Sequence, residues 1–577
     1  MSAVRSVRWL LAGCLSVLLA LGGCATVPTS GPVEHHTPQA TGVNSGVDVD
    51  PLPPADGASQ LLVVEGFLHA MSTYQPNYGV ARQYLTEAAN RTWKPESGVQ
   101  VYADGAPPTE TEASVVLSAR VTGRLDAAGS YSPVGSDAAP PKQDFGLVQN
   151  DAKQWRISNP PSGLLVSRYA FTTGFVAVSL YFSDPDGSVV VPDPRFFAAG
   201  DQAPEAAVRA LLNGPSAWLA PAVRKTVTSG VVVTKVSVDP VGTADVALGG
   251  NAARLSAEQQ RTLLAELAYT LTGFGQISAI RVTADGSAWR DDQGQTIIRP
   301  DTFSQLSPIG TVAQRALYVV KDHKVQRTRD PGGRDDLEDV EVGLLRPEQI
   351  AVNRSQDEVA ATTNSATRLV VGKVGSDKLT VLRTGESGLL RPDYARNGEL
   401  WSPTAAGREG IAVFRGGQRL KVRFGTSPVP EATIEALAVS PDGARVAIIA
   451  RKDGQGVVGL ARIERSEGTI TLSGWTVLDL QPITGNPGAA MDVGWASVTE
   501  LVLLQAGESG TGVLRVSQDG ATSADIGPSE ALGFAQVAVA PQRVVVARKP
   551  DGNVYRRDGE FNWNLAFAAV DCVVYSG

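Results

Sequence analysis

The sequence predicts a multi-domain chain: an α+β domain with a cone-like sheet, an α/β domain, and an all-β propeller of about six blades at the C-terminus. Three observations predict this. The chain has 577 residues, enough for three or four domains. Helical periodicity gives way to strand periodicity twice in the first half, which reads as mixed α and β layers. In the second half a strand-turn-strand pattern recurs, anchored at Val352, Asp393, Val439, Val493 and Val539 with steps of 41, 46, 54 and 46 residues. Those steps match the length of a propeller blade. Composition agrees. Hydrophobic residues make up 43%, ample for packed cores, and 60 Gly with 36 Pro supply many turns. A net charge of −8 argues against a nucleic-acid binder, and three Cys with four His exclude both a disulfide framework and a Cys-rich zinc site.

Residues 1–24 set the compartment. Arg5 and Arg8 precede the apolar run Trp9–Leu21, which has the length of a secretory signal core and is too short to span a bilayer. The run ends Leu21-Gly22-Gly23-Cys24, which resembles the bacterial lipobox; the resemblance implies that the Cys24 thiol receives a diacylglycerol and becomes the new N-terminus. A second match, Leu11-Ala12-Gly13-Cys14, leaves only about five apolar residues ahead of it, fewer than a signal core needs. Residues 25–57 form a tether with Pro28, Pro32, Pro38, Pro51, Pro53 and Pro54 and no aromatic side chain. A flexible coil of that length spans on the order of 30 Å. His35-His36 within it reads as a solvated pair, since no further metal ligand is near.

The α+β domain covers 58–170. Ser59 starts an amphipathic helix with Leu61, Val64, Phe67, Leu68 and Met71 on one face. A second helix is expected over Gly79–Ala89, then strands at Gly98–Tyr102, Ser114–Leu125, Phe145–Gln149 and Gln154–Ile157. This order is similar to the cone of nuclear transport factor two relatives. With no paired acid and base it is expected to act as a spacer, though such a cone can hold a small ligand.

The α/β domain covers 175–290. Val176–Phe182 is a strand, and Asp184-Pro185-Asp186-Gly187 is a turn rather than a calcium loop, because no bidentate Glu follows. A helix runs from Pro204 to Leu212, stopped by Asn213-Gly214-Pro215. Strands follow at Val231–Val238 and Ala244–Leu248. Ser256 and Gln259 form a capping box for a helix that presents Leu263, Leu264, Leu267 and Leu271 to the core. A last strand is expected over Gln276–Val282. Leu180-Tyr181-Phe182, Ala210-Leu211-Leu212-Asn213-Gly214-Pro215 and Tyr269-Thr270-Leu271-Thr272 resemble the GerMN domain of spore-germination and cell-envelope proteins, which implies an interaction module.

A linker at 291–311 leads to the propeller, 312–577. Its clearest hairpin turns at Ser440-Pro441-Asp442-Gly443. Ring closure is expected from Leu317–Val320 and Asn553–Tyr555, and closure removes exposed sheet edges. Two β-sandwiches are the competing arrangement. Gly454-Gln455-Gly456-Val457-Val458-Gly459 matches a dinucleotide fingerprint but is followed by a strand, so it reads as a hairpin. Gly507-Glu508-Ser509-Gly510 lacks the spacing of a nucleophile elbow, and His323 is the only candidate base in this half. Cys572 sits in an apolar closing strand and reads as a buried structural thiol.

The whole-length order of lipobox, tether, α+β domain, GerMN domain and propeller resembles the actinobacterial LpqB lipoprotein family. The resemblance implies a lipid-anchored protein on the extracytoplasmic face of the cell membrane. It also implies that the protein there binds the extracellular part of the Mtr sensor histidine kinase and modulates that two-component system, affecting cell-wall homeostasis and cell division. The residues alone, without a catalytic constellation, lead to the expectation of a binding protein that is not an enzyme and uses no cofactor, metal or nucleic acid. The alternative is an envelope enzyme or a ligand-binding scaffold using the propeller surface.

Overall fold

The computed structural model describes residues 50–111, 114–135, 140–227, 230–310, 315–330, 337–343, 346–452, 455–478, 489–507, 510–528 and 532–577. In the first domain Ser59 caps the helix Gln60–Ser72, its Oγ accepting from the Leu62 N–H at 3.3 Å. The helix buries Val63, Val64, Phe67, Ala70 and Met71. The single helix expected over Gly79–Ala89 is instead two, Gly79–Gln83 and Glu87–Thr92. The break is tertiary. Leu85 bridges to Ile157, the Ile157 N–H donates to Tyr84 O, and the Thr86 N–H donates to Ile157 O. Thr86 then caps the second helix.

The stretch Ser114–Leu125 also divides, into Val115–Ser118 and Val121–Leu125, which enter different sheets. Val121–Leu125 pairs antiparallel with Val99–Tyr102, which pairs parallel with Leu164–Ser167. The rings of Phe67, Trp93 and Phe145 pack at centroid distances of 5.5 and 6.4 Å, so the domain's own aromatic residues fill its interior. At the end of the tether Pro51 is buried, and Tyr84 Oη donates to Leu52 O at 2.8 Å.

In the second domain the hairpin Phe175–Ser183 and Val190–Ala198 packs beside a four-stranded sheet. That sheet pairs Val231–Val238 with Thr243–Gly250 antiparallel, and Thr243–Gly250 with Ala279–Ala284 parallel. The Ser256 capping box is formed, and Leu263, Leu264, Leu267 and Leu271 lie in the core. Each fully buried Leu of this kind stabilises the fold by about 1.5–3 kcal/mol. The linker, described over 291–310, is held against this domain: Ile298 pairs with Ile280 and Phe303 enters the core.

The rest of the described chain is a propeller whose strand pairing falls into six four-stranded units. Their innermost strands are Gln349–Val352, Asp393–Tyr394, Thr433–Val439, Ala490–Trp495, Gln536–Ala538 and Val570–Tyr575, and each touches the next around the ring. The second and third units share an edge, Gln418–Phe424 pairing parallel with Thr469–Val477. Closure differs from the expectation. Leu317–Lys321 pairs with Val570–Tyr575, while Val554–Asp558 stays inside the fifth unit. The reason is burial: Leu317, Tyr318, Val319 and Val320 are fully enclosed and need an apolar partner, which Val570, Cys572 and Val573 supply. Arg556 and Arg557 do not suit an inner position.

Candidate functional site

The innermost strands enclose an axial cavity of about 100 Å³. Polar clasps join the units around it. Asp393 accepts the Val439 N–H of the next unit at 2.7 Å, and Asp492 accepts the Val537 N–H of its next unit at 2.8 Å. Gln536 repeats the device, accepting from Val573 N and donating to Val573 O. Arg391 adds a link between the second and fourth units, with bidentate bonds of 2.9 and 2.7 Å to the Asp492 carboxylate. Burial pushes the Asp393 carboxyl up to about 6.

The two leading domains dock directly on the propeller. Trp218 of the GerMN domain donates its indole N–H to Gly474 O at 2.6 Å. The guanidinium carbons of Arg445 and Arg462 lie 5.7 and 5.8 Å from its ring centroid. Arg462 also donates to Trp218 O, and Arg445 to Pro192 O. Gly474 has φ +65°, and a Cβ there would meet the indole nitrogen at 2.9 Å, so glycine is what lets the ring seat. The first domain reaches the propeller through Arg168, whose Nη2 donates to Ala521 O at 2.9 Å. It joins the GerMN domain through the Phe196 N–H, which donates to Gly129 O, and through the Phe196 ring packed at a tilt against Phe171, centroids 4.9 Å apart. Trp218→Ala removes the ring, its hydrogen bond and both cation–π contacts. The expected cost is at least about 2 kcal/mol at this interface. Calorimetry should then resolve separate GerMN and propeller transitions where the unaltered chain shows them coupled; a single unchanged transition refutes the interface.

Inside the GerMN domain Glu266 is buried and accepts from the Ser183 N–H at 3.0 Å and Thr226 Oγ1 at 2.6 Å. Burial raises its carboxyl to about 7 against these hydrogen bonds. The folded state therefore holds a proton that the unfolded chain releases near pH 4.5. This group's contribution is full below that value and falls as pH rises towards about 7, by a few kcal/mol at most. Glu266→Gln keeps the accepting oxygen. Denaturant titrations at several pH values across this window should show the decline flattened in the variant; an equally steep decline assigns it to other groups.

The sequence-predicted lipid site, Cys24, lies outside the described residues, as do Cys14 and His35-His36. Among the described residues no helix is long and apolar enough to cross a membrane. Gly456 and Gly459 lie within the strand Gln455–Ser466, which pairs back on Arg445–Lys452, a hairpin without a following helix; Gly454 itself is outside the described residues. Gly507 and Gly510 face each other across another hairpin, with 508–509 outside the described residues. His323 is an exposed turn residue between Leu317–Lys321 and Lys324–Thr328. Cys572 is buried, its Sγ 3.4 Å from Gln349 Oε1, and burial pushes its thiol up. Trp218, Arg391 and Asp492 were not singled out from sequence. Arg391 and Asp492 lie within the repeat units anchored at Asp393 and Val493, without a role assigned to them, and nothing in the sequence pointed to Trp218.

Three family models match in succession: the N-terminal domain of Lipoprotein LpqB over 53–172, the sporulation and spore germination domain over 179–288, and the Lipoprotein LpqB beta-propeller domain over 316–570. Lipoprotein LpqB of Cutibacterium acnes is 30% identical, the match covering 99% of each chain. Lipoprotein LpqB of Streptomyces avermitilis is 25% identical over 98% of this chain and 97% of its own. Among solved structures, TolB from Acinetobacter baumannii covers 53% of this chain and 84% of its own at 13% identity and a TM-score of 0.34, too distant to add to the description.

Proposed function

The chain belongs to the LpqB lipoprotein family, and from that premise we propose that it is an accessory protein anchored through Cys24 to the extracytoplasmic face of the cell membrane. In this reading it binds the extracellular part of the Mtr sensor kinase, modulates its signalling, and so affects cell-wall homeostasis and division. The near-full-length match to a curated lipoprotein carries the reading. The packing supports it: three domains docked through Trp218, Arg168 and Phe196 offer a composite surface of fixed geometry. Two acyl chains hold such a protein stably at the membrane, where one does not. A tether spanning on the order of 30 Å keeps it near other membrane proteins and raises their effective concentration.

The experiment is co-purification of the lipidated full-length protein with the kinase's extracellular domain, paired with measurement of regulator phosphorylation in a deletion strain. A saturable complex and altered phosphorylation are expected. No complex and unchanged phosphorylation defeat the proposal.

A further inference from the structure

The axial cavity carries a charge pattern that the ring does not need. This acidic protein has a net charge of −8, yet Arg315, Arg354, Arg391 and Arg396 line the cavity; Asp393 is the one acidic side chain among the lining residues, Gly577 reaches the same wall, and Asp184 and Asp442 lie near Arg396. Arg391 is satisfied by Asp492. The other three have no ion pair among the described residues. Arg315 is only 8% exposed, and its Nη2 donates to Ile309 O at 3.1 Å. Arg396 Nη1 is buried without a hydrogen-bond partner among the described residues. Arg354 packs its guanidinium over Gly310, where any side chain would take its place.

Burial, and then the neighbouring Arg354 and Arg543, lower Arg315 to about 10; burial and then Arg354 lower Arg396, against Asp184 and Asp442. Like charges gathered in partial burial repel, and such groups beside a cavity mark a candidate binding site for an opposite charge. Guanidinium forks match the oxygens of phosphate. A cavity of about 100 Å³ has room for one tetrahedral anion or several waters.

We propose that the axial cavity of the propeller binds the phosphate group of a ligand, held by Arg315, Arg354 and Arg396. This goes beyond the partner role above and stands without it. The test is isothermal titration of the full-length protein in detergent with inorganic phosphate, at ionic strength held constant with chloride. Saturable binding is expected. Arg354→Gln and Arg396→Gln should each weaken it at least tenfold, while melting temperature in phosphate-free buffer holds or rises because repulsion is relieved. Arg354→Lys keeps the charge and loses the fork, so an intermediate affinity is expected. Arg91→Gln, on the exposed surface, should bind as the unaltered chain does. Glycerol 1-phosphate and vesicles containing phosphatidylglycerol then separate a free ligand from a lipid headgroup; the one that competes with phosphate names the source. No saturable phosphate binding, or equal binding by the two Gln variants, overturns the proposal.

Discussion

Replacing Cys24 by Ala is expected to move the protein wholly from the membrane fraction to the soluble fraction. In the proposed anchoring, the lipobox-like Leu21-Gly22-Gly23-Cys24 supplies the thiol that is acylated, and the variant removes it. Each buried methylene contributes about 0.8 kcal/mol, so losing two chains removes more binding energy than any single contact supplies. Mass spectrometry should find no acylated N-terminal peptide in the variant. Cys14→Ala should remain anchored, because its preceding apolar run is too short for a signal core. A Cys24→Ala protein that stays acylated while Cys14→Ala does not would transfer the site to Cys14.

Asp492→Ala is expected to destabilise the propeller by about 3–5 kcal/mol, because it leaves the Arg391 guanidinium buried and unpaired. The same carboxylate accepts the N–H groups of Val493 and Val537, so two backbone donors at the unit boundary lose their partner as well. Denaturant unfolding followed by tryptophan fluorescence reads the loss, since Trp401 and Trp495 lie in the propeller cores. Asp492→Asn keeps one acceptor and should lose less. A cost of Asp492→Ala below about 1 kcal/mol, the value of an exposed ion pair, would show that the clasp does not hold the ring.

Local signals were legible where local chemistry decides them. The Ser256–Gln259 capping box and the Leu263, Leu264, Leu267, Leu271 face formed as their spacing predicts. The Ser440–Gly443 hairpin closes with the Gly443 N–H donating to Ser440 O at 2.8 Å, because proline and glycine preset the turn. The helix break at Tyr84–Thr86 was not legible, since it comes from Ile157, more than seventy residues away. Of the candidate site, the Asp393 and Val493 anchors lay on inner strands, but nothing in the spacing pairs Arg391 with Asp492 across 101 residues.

By itself, then, the sequence determined the order of domains and the type of most elements, because turns, caps and hydrophobic periods act over a few neighbouring residues. Only the tertiary structure decided which strand closes the ring, which edges the second and third units share, where Trp218 seats, and which arginines meet in the cavity. Those outcomes depend on burial and on charges brought together from distant segments, and a linear pattern carries no term for either.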